Sequence, residues 1–315
     1  MNSLYSAALG LAALTLACFP ALAADSSDAV RDPLWEAGIG GAASIFPDYR
    51  GAEHFSTFGL LAPYAAYRGE RFRIGREGAA ASLFEEFNTE LSLSLATSLP
   101  GDADDNPNRE GMSDIEGTFE IGPSLDFVLK REPGRWVHRI RIPARAVIAT
   151  DLQHFDAIGW LIHPNFEASR NWLVGGTAWG LTLSIGPLFA TEKYHDYFYE
   201  VDPQFARANR PAFAAGGGYS GARANAVVTW RRGDTRIGTF LLYDNLSGAN
   251  FADSPLIDTE HSVILGIGIA RRIWRSEKLA PYSPVREPPA PKTVKAAKPR
   301  VVEPAVGEES ARPVE

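Results

Sequence analysis

The sequence DIEGTFEIGPSLDFVL at residues 114–129 alternates in polarity along most of its length. Odd positions from Ile115 to Leu129 are apolar or small, and even positions from Asp114 to Asp126 are polar or small. Successive side chains of a β-strand point to opposite faces, so this segment predicts a strand between an apolar and a polar environment. It is longer than the ~5–6 residues of a typical soluble strand and exceeds the ~9–11 residues that a tilted strand needs to cross a bilayer. The pattern therefore predicts the wall of a transmembrane β-barrel, between lipid and a wet lumen.

The N-terminus has the features of a secretory signal peptide. An apolar stretch ends in the small-x-small pattern at 21–23, and polar residues follow it. We predict a signal peptide at 1–23 with cleavage after Ala23. An uncleaved membrane anchor is the alternative, although the stretch is shorter than the ~20 residues of a spanning helix. The only cysteine, Cys18, lies in this segment, so we expect no disulfide in the exported chain.

Composition limits the class of protein further. The chain has 315 residues and a net charge of -7, which argues against nucleic-acid binding. Beyond the N-terminus no segment approaches ~18 uninterrupted apolar residues, so we expect no membrane-spanning helix. A β-barrel is compatible with this composition because its lumen face is polar. We identify no motif for a cofactor or a metal, since the acidic stretch at 101–106 lacks the glycine and terminal glutamate of an EF-hand loop.

Strand periodicity and breaker residues predict an all-β protein, a transmembrane antiparallel up-and-down β-barrel at 35–274 that follows a short lead at 24–34. About ten strands are expected, and counting a segment at 68–76 as spanning gives the alternative of twelve. Short and long connections alternate, which is typical of outer-membrane barrels with short periplasmic turns and long external loops. Both termini then lie in the periplasm. The ten predicted strands are 35–46, 56–67, 83–98, 113–130, 136–150, 157–169, 172–190, 213–231, 235–246 and 261–274.

Tryptophans are distributed as expected for a membrane interface. Five of the seven begin or end predicted strands at the periplasmic rim, where amphipathic rings are favoured. Trp160 is predicted near the outer rim and Trp179 in the middle of a strand. A soluble sandwich with tryptophans in its core is the alternative. The five rim residues are Trp35, Trp136, Trp172, Trp230 and Trp274.

After residue 274 the composition changes to Pro, Ala, Lys and Glu. We predict a disordered periplasmic tail at 275–315, because it lacks the apolar residues needed to bury a core. In an extended form of ~3.1 Å per residue the tail would reach on the order of 100 Å, which is enough to contact peptidoglycan. A tail without a partner is the alternative.

Charged residues on two neighbouring predicted strands are candidates for the lining of the lumen. Acidic residues alternate along the strand at 113–130, and arginines alternate along the strand at 136–150. Such ladders can pair across the wall, and an open lumen between them would favour small charged or zwitterionic solutes. A salt-bridged plug that closes a narrow barrel is the alternative. The predicted ladder comprises Asp114, Glu116, Glu120, Asp126, Arg139, Arg141 and Arg145.

Histidines in the predicted external loops raise a third hypothesis, a hydrolase at the outer rim. His154 with Asp156, or His195 with Asp196, would act as the general base. His54 lies in another predicted loop. Polar residues are common in loops, however, and no serine lies in a Gly-x-Ser-x-Gly motif. The sequence therefore favours a protein that is not an enzyme.

Five stretches are typical of one family. They are 35–42 leading to PDYRG at 47–51, PYAAYRG at 63–69, 194–201 with the following Ala206-Arg207, YDNLSG at 243–248 and DSPL at 253–256. Together they resemble the MipA/OmpV family of Gram-negative outer-membrane proteins, and the resemblance covers nearly all of 35–274. The chain departs from the family by continuing past Trp274, where the last strand normally closes.

The resemblance implies a β-barrel embedded in outer-membrane lipid. Its named members imply two roles. One is a scaffold that joins a lytic transglycosylase to a murein synthase, and the other is a pore or adhesin-like surface protein that responds to osmotic conditions. Our leading hypothesis is a non-enzymatic scaffold for peptidoglycan synthesis and remodelling proteins, and the alternative is a narrow channel. The scaffold role rests on the resemblance, whereas the barrel rests on the residues.

Overall fold

A computed structural model describes the residues 32–70, 72–75, 78–86, 88–98, 100, 106–130 and 136–281. The predicted signal peptide, its cleavage after Ala23, the acidic loop at 101–105 and the tail beyond residue 281 lie outside them. The described residues form one antiparallel sheet of thirteen strands and one α-helix. In this part of the chain, no helix has the length and apolar character needed to cross a membrane.

The elements follow one another as strands joined by connections of unequal length. The helix α1 (Glu192–Tyr199) and a 3-10 turn at Pro203–Phe205 lie in one of the long connections. The strands are β1 (Trp35–Pro47), β2 (Phe55–Arg68), β3 (Phe72–Gly75), β4 (Gly78–Glu86), β5 (Thr89–Ser98), β6 (Gly117–Lys130), β7 (Val137–Thr150), β8 (Phe155–Ile162), β9 (Asn165–Val174), β10 (Thr177–Ala190), β11 (Gly218–Arg232), β12 (Thr235–Asn245) and β13 (His261–Arg275).

The ladders of hydrogen bonds follow chain order and return to their start, because β13 pairs with β1 and β10 pairs with β11. A sheet that returns on itself in this way has the arrangement of a barrel. Among the described residues, two residue pairs link β2 and β3. Large apolar side chains are exposed on the outer face, such as Leu61 at 73% and Ile267 at 52%.

The sheet has thirteen strands, so the preferred count of ten is too low. The additional strands are β3 and β4, at and beside the segment at 68–76, and one predicted strand is divided into β8 and β9. The four residues of β3 are fewer than the ~9–11 that a tilted strand needs to cross a bilayer. β8 and β9 together make one pass, since β8 pairs with 144–150 of β7 and β9 pairs with 137–141. The break between them falls at His163 and Pro164, where proline has no N–H to donate to a ladder.

The turn between β9 and β10 differs from its predicted position. The boundary between two strands was expected at 170–171, but β9 continues to Val174 and β10 begins at Thr177. Gly175 and Gly176 have φ values of 56° and 77°, which suit the tight hairpin turns that need two residues with positive φ. Trp179 is therefore close to the end of its strand and not in the middle.

The predicted boundary between barrel and tail falls inside an ordered segment. β13 ends at Arg275, and backbone hydrogen bonds then join the following residues to the lead before β1. Ser276 N donates to the Trp35 carbonyl at 2.9 Å, and Ala280 N donates to the Asp32 carbonyl at 2.8 Å. These bonds extend the pairing of β1 and β13 beyond both strands.

Four long connections pack together at one end of the barrel, which we call the cap. Its core contains Tyr199 and Phe251, whose rings stack at 3.7 Å between centroids and 5° between planes. The Tyr49 hydroxyl donates to the Leu256 carbonyl at 2.7 Å and links two of the connections. Tyr194 of α1 packs against the buried cluster that includes inward residues of β7, β8 and β10. The cap consists of residues 48–54, 106–116, 191–217 and 246–260.

Candidate functional site

Five of the seven predicted ladder residues lie together on the inner face of β6 and β7. The Arg145 guanidinium contacts Glu120 at 3.0 Å, and that of Arg141 contacts Asp126 at 3.3 Å. These pairs agree with the register, in which Asp126 lies opposite Arg141. Arg139 faces the same side and pairs with a carboxylate of the next strand. The charged groups neutralise one another across adjacent strands, as expected for cross-strand pairs.

Glu167 of β9 completes the ladder and was missed by the sequence analysis. Its carboxylate accepts from Arg139 at 3.0 Å and from Arg141 at 3.3 Å, and the residue is 9% exposed. The available signal was the alternation along 157–169, which puts Glu167 on the polar face. Its two arginine partners depend on how β9 aligns with β7, and periodicity alone does not define that alignment.

Asp114 and Glu116 do not lie on the ladder, contrary to the prediction. β6 begins at Gly117, and both acidic residues belong to the cap. Ile115 between them is 3% exposed and packs in the cap core instead of facing lipid. The alternating pattern continues through this segment, but tertiary packing ends the strand earlier. Burial raises the pKa of Glu116, and nearby Asp151 raises it further.

A second ionic cluster occupies the barrel end opposite the cap, which we call the short-turn end. The Glu36 carboxylate is 1% exposed and forms ion pairs with Arg68 at 2.8 Å and with Arg236 at 3.0 Å. Asp32 from the lead contacts Arg236 at 3.1 Å and Arg231 at 2.5 Å. The two acids thus join the five neighbouring strands β11, β12, β13, β1 and β2 at this end of the barrel. This mouth cluster consists of Asp32, Glu36, Arg68, Arg231, Arg236 and Arg272.

A third group of charges connects the cap to the barrel wall. Asp244 of β12 is fully buried and accepts two hydrogen bonds from Arg223 of β11, at 2.8 and 2.9 Å. Arg50 of the cap contacts the same carboxylate at 3.2 Å and donates to the Ser220 carbonyl at 2.6 Å. Bidentate pairs of this kind fix geometry as well as charge, so they hold the connection after β1 over the barrel.

Tryptophans form a row on the outer face of the short-turn end. Trp179 lies opposite Trp172 on one side and Trp230 on the other. The rings of Trp172 and Trp179 stack at 6.5 Å with 8° between planes. Side chains with an apolar body and a polar N–H suit the boundary between hydrocarbon and headgroups. All five predicted rim residues lie at this end, namely Trp35, Trp136, Trp172, Trp230 and Trp274.

The histidines of the rim-hydrolase hypothesis are held by separate local partners. His54 Nδ1 lies 2.8 Å from Asp48, and His154 Nδ1 lies 3.0 Å from Asp151. In the described part of the chain neither ring contacts a serine or threonine hydroxyl within hydrogen-bond distance. The same part of the chain also contains no group of three or more His, Cys, Asp or Glu side chains that could hold a metal ion. We therefore derive no catalytic mechanism from these residues.

His195 is fully buried in the cap. Its Nδ1 lies 2.6 Å from the Gly216 carbonyl, and its ring contacts Phe251 at 4.7 Å between centroids. Its Nε2 has no hydrogen-bond partner in the described residues. Burial lowers the pKa of His195, and the positive charge of Arg50 lowers it further, although the Gly216 carbonyl acts in the opposite direction.

We expect the cap to loosen in acid because of this histidine. When the pKa is lower in the folded state, the unfolded chain binds the proton first as pH falls. The stability that neutral His195 contributes is thus present above its ordinary value of 6.5 and is lost as pH falls below it. Hydrogen exchange measures this loosening. The protection factors of cap amides should be lower at pH 5 than at pH 8.

His195→Gln should remove most of that pH dependence. His154 provides the control, because it is exposed and its hydrogen bond with Asp151 raises its pKa. Its contribution has the opposite sign, being present in acid and lost as pH rises, so His154→Gln should not prevent the loosening. Equal protection of the native cap at pH 8 and pH 5 would contradict the assignment to His195.

A family model described as MltA-interacting protein MipA matches residues 39–273. The chain belongs to the MipA family. Among curated protein sequences, none matches this MipA-family protein. The family, together with a ring of strands whose outer face is apolar, identifies an outer-membrane β-barrel protein.

Three solved structures are similar to this MipA-family protein at low sequence identity. One is a bacterial polysaccharide outer membrane secretin, with 11% identity, a TM-score of 0.39 and coverage of 78% of this chain and 100% of that chain. The NanC porin has 8% identity, a TM-score of 0.33 and coverage of 76% and 100%. Outer membrane phospholipase A from Escherichia coli has 9% identity, a TM-score of 0.29 and coverage of 77% and 98%.

Proposed function

We propose that this MipA-family protein is a non-enzymatic scaffold that holds murein synthesis and remodelling enzymes at the periplasmic face of the outer membrane. The observation that carries the proposal is the paired charge on the inner face of the barrel. Ion pairs bridge β6, β7 and β9, the mouth cluster joins five neighbouring strands at the short-turn end, and the cap packs at the other end. A barrel whose inner charges are paired in this way suits a platform better than a wide passage.

The short-turn end is the side that we assign to the periplasm. Bacterial outer-membrane barrels have short periplasmic turns and longer external loops. The turns at 175–176 and 233–234 are short, and the described ends of the chain, near residues 32 and 281, lie at the same end. The tail beyond residue 281 then starts on the side where the cell wall lies.

The family description supports the choice of partner. It names an interaction with MltA, a lytic transglycosylase, and we extend this interaction to the present chain. A murein synthase as second partner follows from the scaffold role. The tail is a candidate for contact with peptidoglycan, since it carries Lys292, Lys295, Lys298 and Arg300.

A binding experiment tests the scaffold. The refolded mature chain, in detergent micelles, should bind an immobilised lytic transglycosylase in a saturable manner, whereas an unrelated outer-membrane barrel should not. Removal of 282–315 tests the tail and leaves the pairing of residues 276–280 with the lead intact. Unchanged binding of the shortened chain would exclude the tail from the interface, and absence of saturable binding by the complete chain would overturn the scaffold.

A narrow channel is the second candidate, favoured by the ladder of Arg139, Arg141 and Arg145 on the inner face. Single-channel conductance in a planar bilayer distinguishes the two functions. We expect a folded barrel, verified by heat-modifiable gel mobility, to remain silent. Ion-selective openings that change when the three arginines are replaced by glutamine would support the channel instead.

A further inference from the structure

At the short-turn end of three neighbouring strands, successive side chains point alternately to the mouth cluster and to the outer face. Arg231, Arg236 and Arg272 point inward, where each contacts Asp32 or Glu36. Because successive side chains of a strand point to opposite faces, their chain neighbours point outward. Those neighbours are Arg232 on β11, Thr235 on β12 and Arg271 on β13, which we call the outer row.

The outer row is continuous across the sheet. Arg232 lies opposite Thr235, and Thr235 lies opposite Arg271. Both arginines are exposed. Neighbouring strands are ~4.8 Å apart, so the two arginine Cα atoms are about 10 Å apart, with a small side chain between them. Their guanidinium groups can therefore approach one bound group above Thr235.

The charge of the outer row is not balanced on its own face. β11 and β13 contain no Asp or Glu, and Asp244 of β12 is buried on the inner face. The turn residue Asp234 is the acid closest in sequence, and Arg272 holds it with contacts of 2.6 and 3.0 Å. The hydrogen bond from Arg272 lowers the pKa of Asp234, and the charge of Arg271 lowers it further without forming an ion pair. Within the described residues no ion pair involves Arg232 or Arg271. Two cations thus remain available to an external anion.

The next row toward the middle of the barrel is apolar. Trp230, Ile237 and Ile269 lie opposite one another on the same outer face, and Ile269 is 52% exposed. A ligand with a phosphate at the outer row would have its apolar part along these side chains. Guanidinium groups bind phosphate oxygens in a bidentate manner, and tryptophan favours the membrane interface.

We propose that the outer row binds the phosphate headgroup of an anionic phospholipid in the periplasmic leaflet. The leaflet rests on the proposed orientation, with the short turns in the periplasm. The site is separate from the contacts of the scaffold, because its ligand lies on the lipid-facing side of the barrel. It would fix the depth of the short-turn end relative to the headgroups.

Native mass spectrometry of the refolded mature chain in detergent micelles tests the site. Phosphatidylglycerol should be retained in preference to zwitterionic phosphatidylcholine. Arg232→Gln combined with Arg271→Gln should weaken retention about tenfold, since interfacial arginines each contribute to binding of anionic lipid. Arg170→Gln is the matched control, because Arg170 is exposed on β9 and lies away from the row. Inorganic phosphate at millimolar concentration should not displace the lipid.

Several results would overturn the site. These are equal retention by the double variant, equal loss in the Arg170→Gln control, or displacement of lipid by inorganic phosphate. Binding of isolated peptidoglycan through the same two arginines, without a preference among lipids, would also overturn it. If the double variant does not fold by heat-modifiable mobility, the single variants serve, and each should lose part of the preference. Transglycosylase binding is measured separately, so the scaffold and the lipid site can fail independently.

Discussion

Glu36→Gln is expected to destabilise the barrel by about 3–5 kcal/mol, the usual cost of breaking a buried ion pair from one side. The Glu36 carboxylate is 1% exposed and accepts from guanidinium groups of three other strands. Glutamine keeps the shape but removes the negative charge. Arg68, Arg236 and Arg272 would then be close together with one fewer anion among them, and an amide carbonyl does not compensate three cations.

Urea unfolding of the refolded protein in lipid vesicles, followed by tryptophan fluorescence, measures this loss. Glu277→Gln is the matched control, because Glu277 is exposed beyond β13 and forms no ion pair in the described part of the chain. Its substitution should change the free energy of unfolding by less than about 0.5 kcal/mol. If Glu36→Gln had an effect as small as the control, the mouth cluster would not stabilise the barrel.

Phe251→Ala is expected to open the cap. The Phe251 ring is fully buried between Tyr199 and His195, and removing a buried phenyl group typically costs 3–5 kcal/mol. The cap has one main apolar cluster that joins its four connections, so the loss acts on all of them. The strands keep their ladders, because the barrel wall does not depend on this core. We therefore expect local opening without unfolding of the barrel.

Limited proteolysis of vesicle-embedded protein measures the opening. Cleavage within 191–217 and 246–260 should increase at least tenfold, while heat-modifiable mobility remains. Phe155→Ala serves as control, because Phe155 is 69% exposed at the start of β8. Single-channel conductance of the Phe251→Ala variant shows whether the cap or the barrel interior closes the lumen. Resistance of the variant to protease, equal to that of the native chain, would show that the cap does not depend on this ring.

The candidate site was predicted in part, and the ladder shows why. Glu120, Asp126 and the three arginines were found because inward and outward positions follow from a period of two along each strand. The assignment of Asp114 and Glu116 to the ladder was wrong because the alternating pattern extends to residues that precede the first residue of β6. Glu167 was missed because its partners depend on register, and a shift of one residue reverses every side chain.

By itself the sequence determined an antiparallel barrel with an apolar outer face, a polar inner face and tryptophans at one rim. These features follow from local periodicity and from the residues at turns. Only the tertiary structure decided the number of strands, the cap and the mouth cluster. Glu36 meets Arg236 from 200 residues away, and Tyr49 meets Leu256 from 207 residues away. Contacts at such separations depend on how the sheet returns on itself, which no local pattern of residues defines.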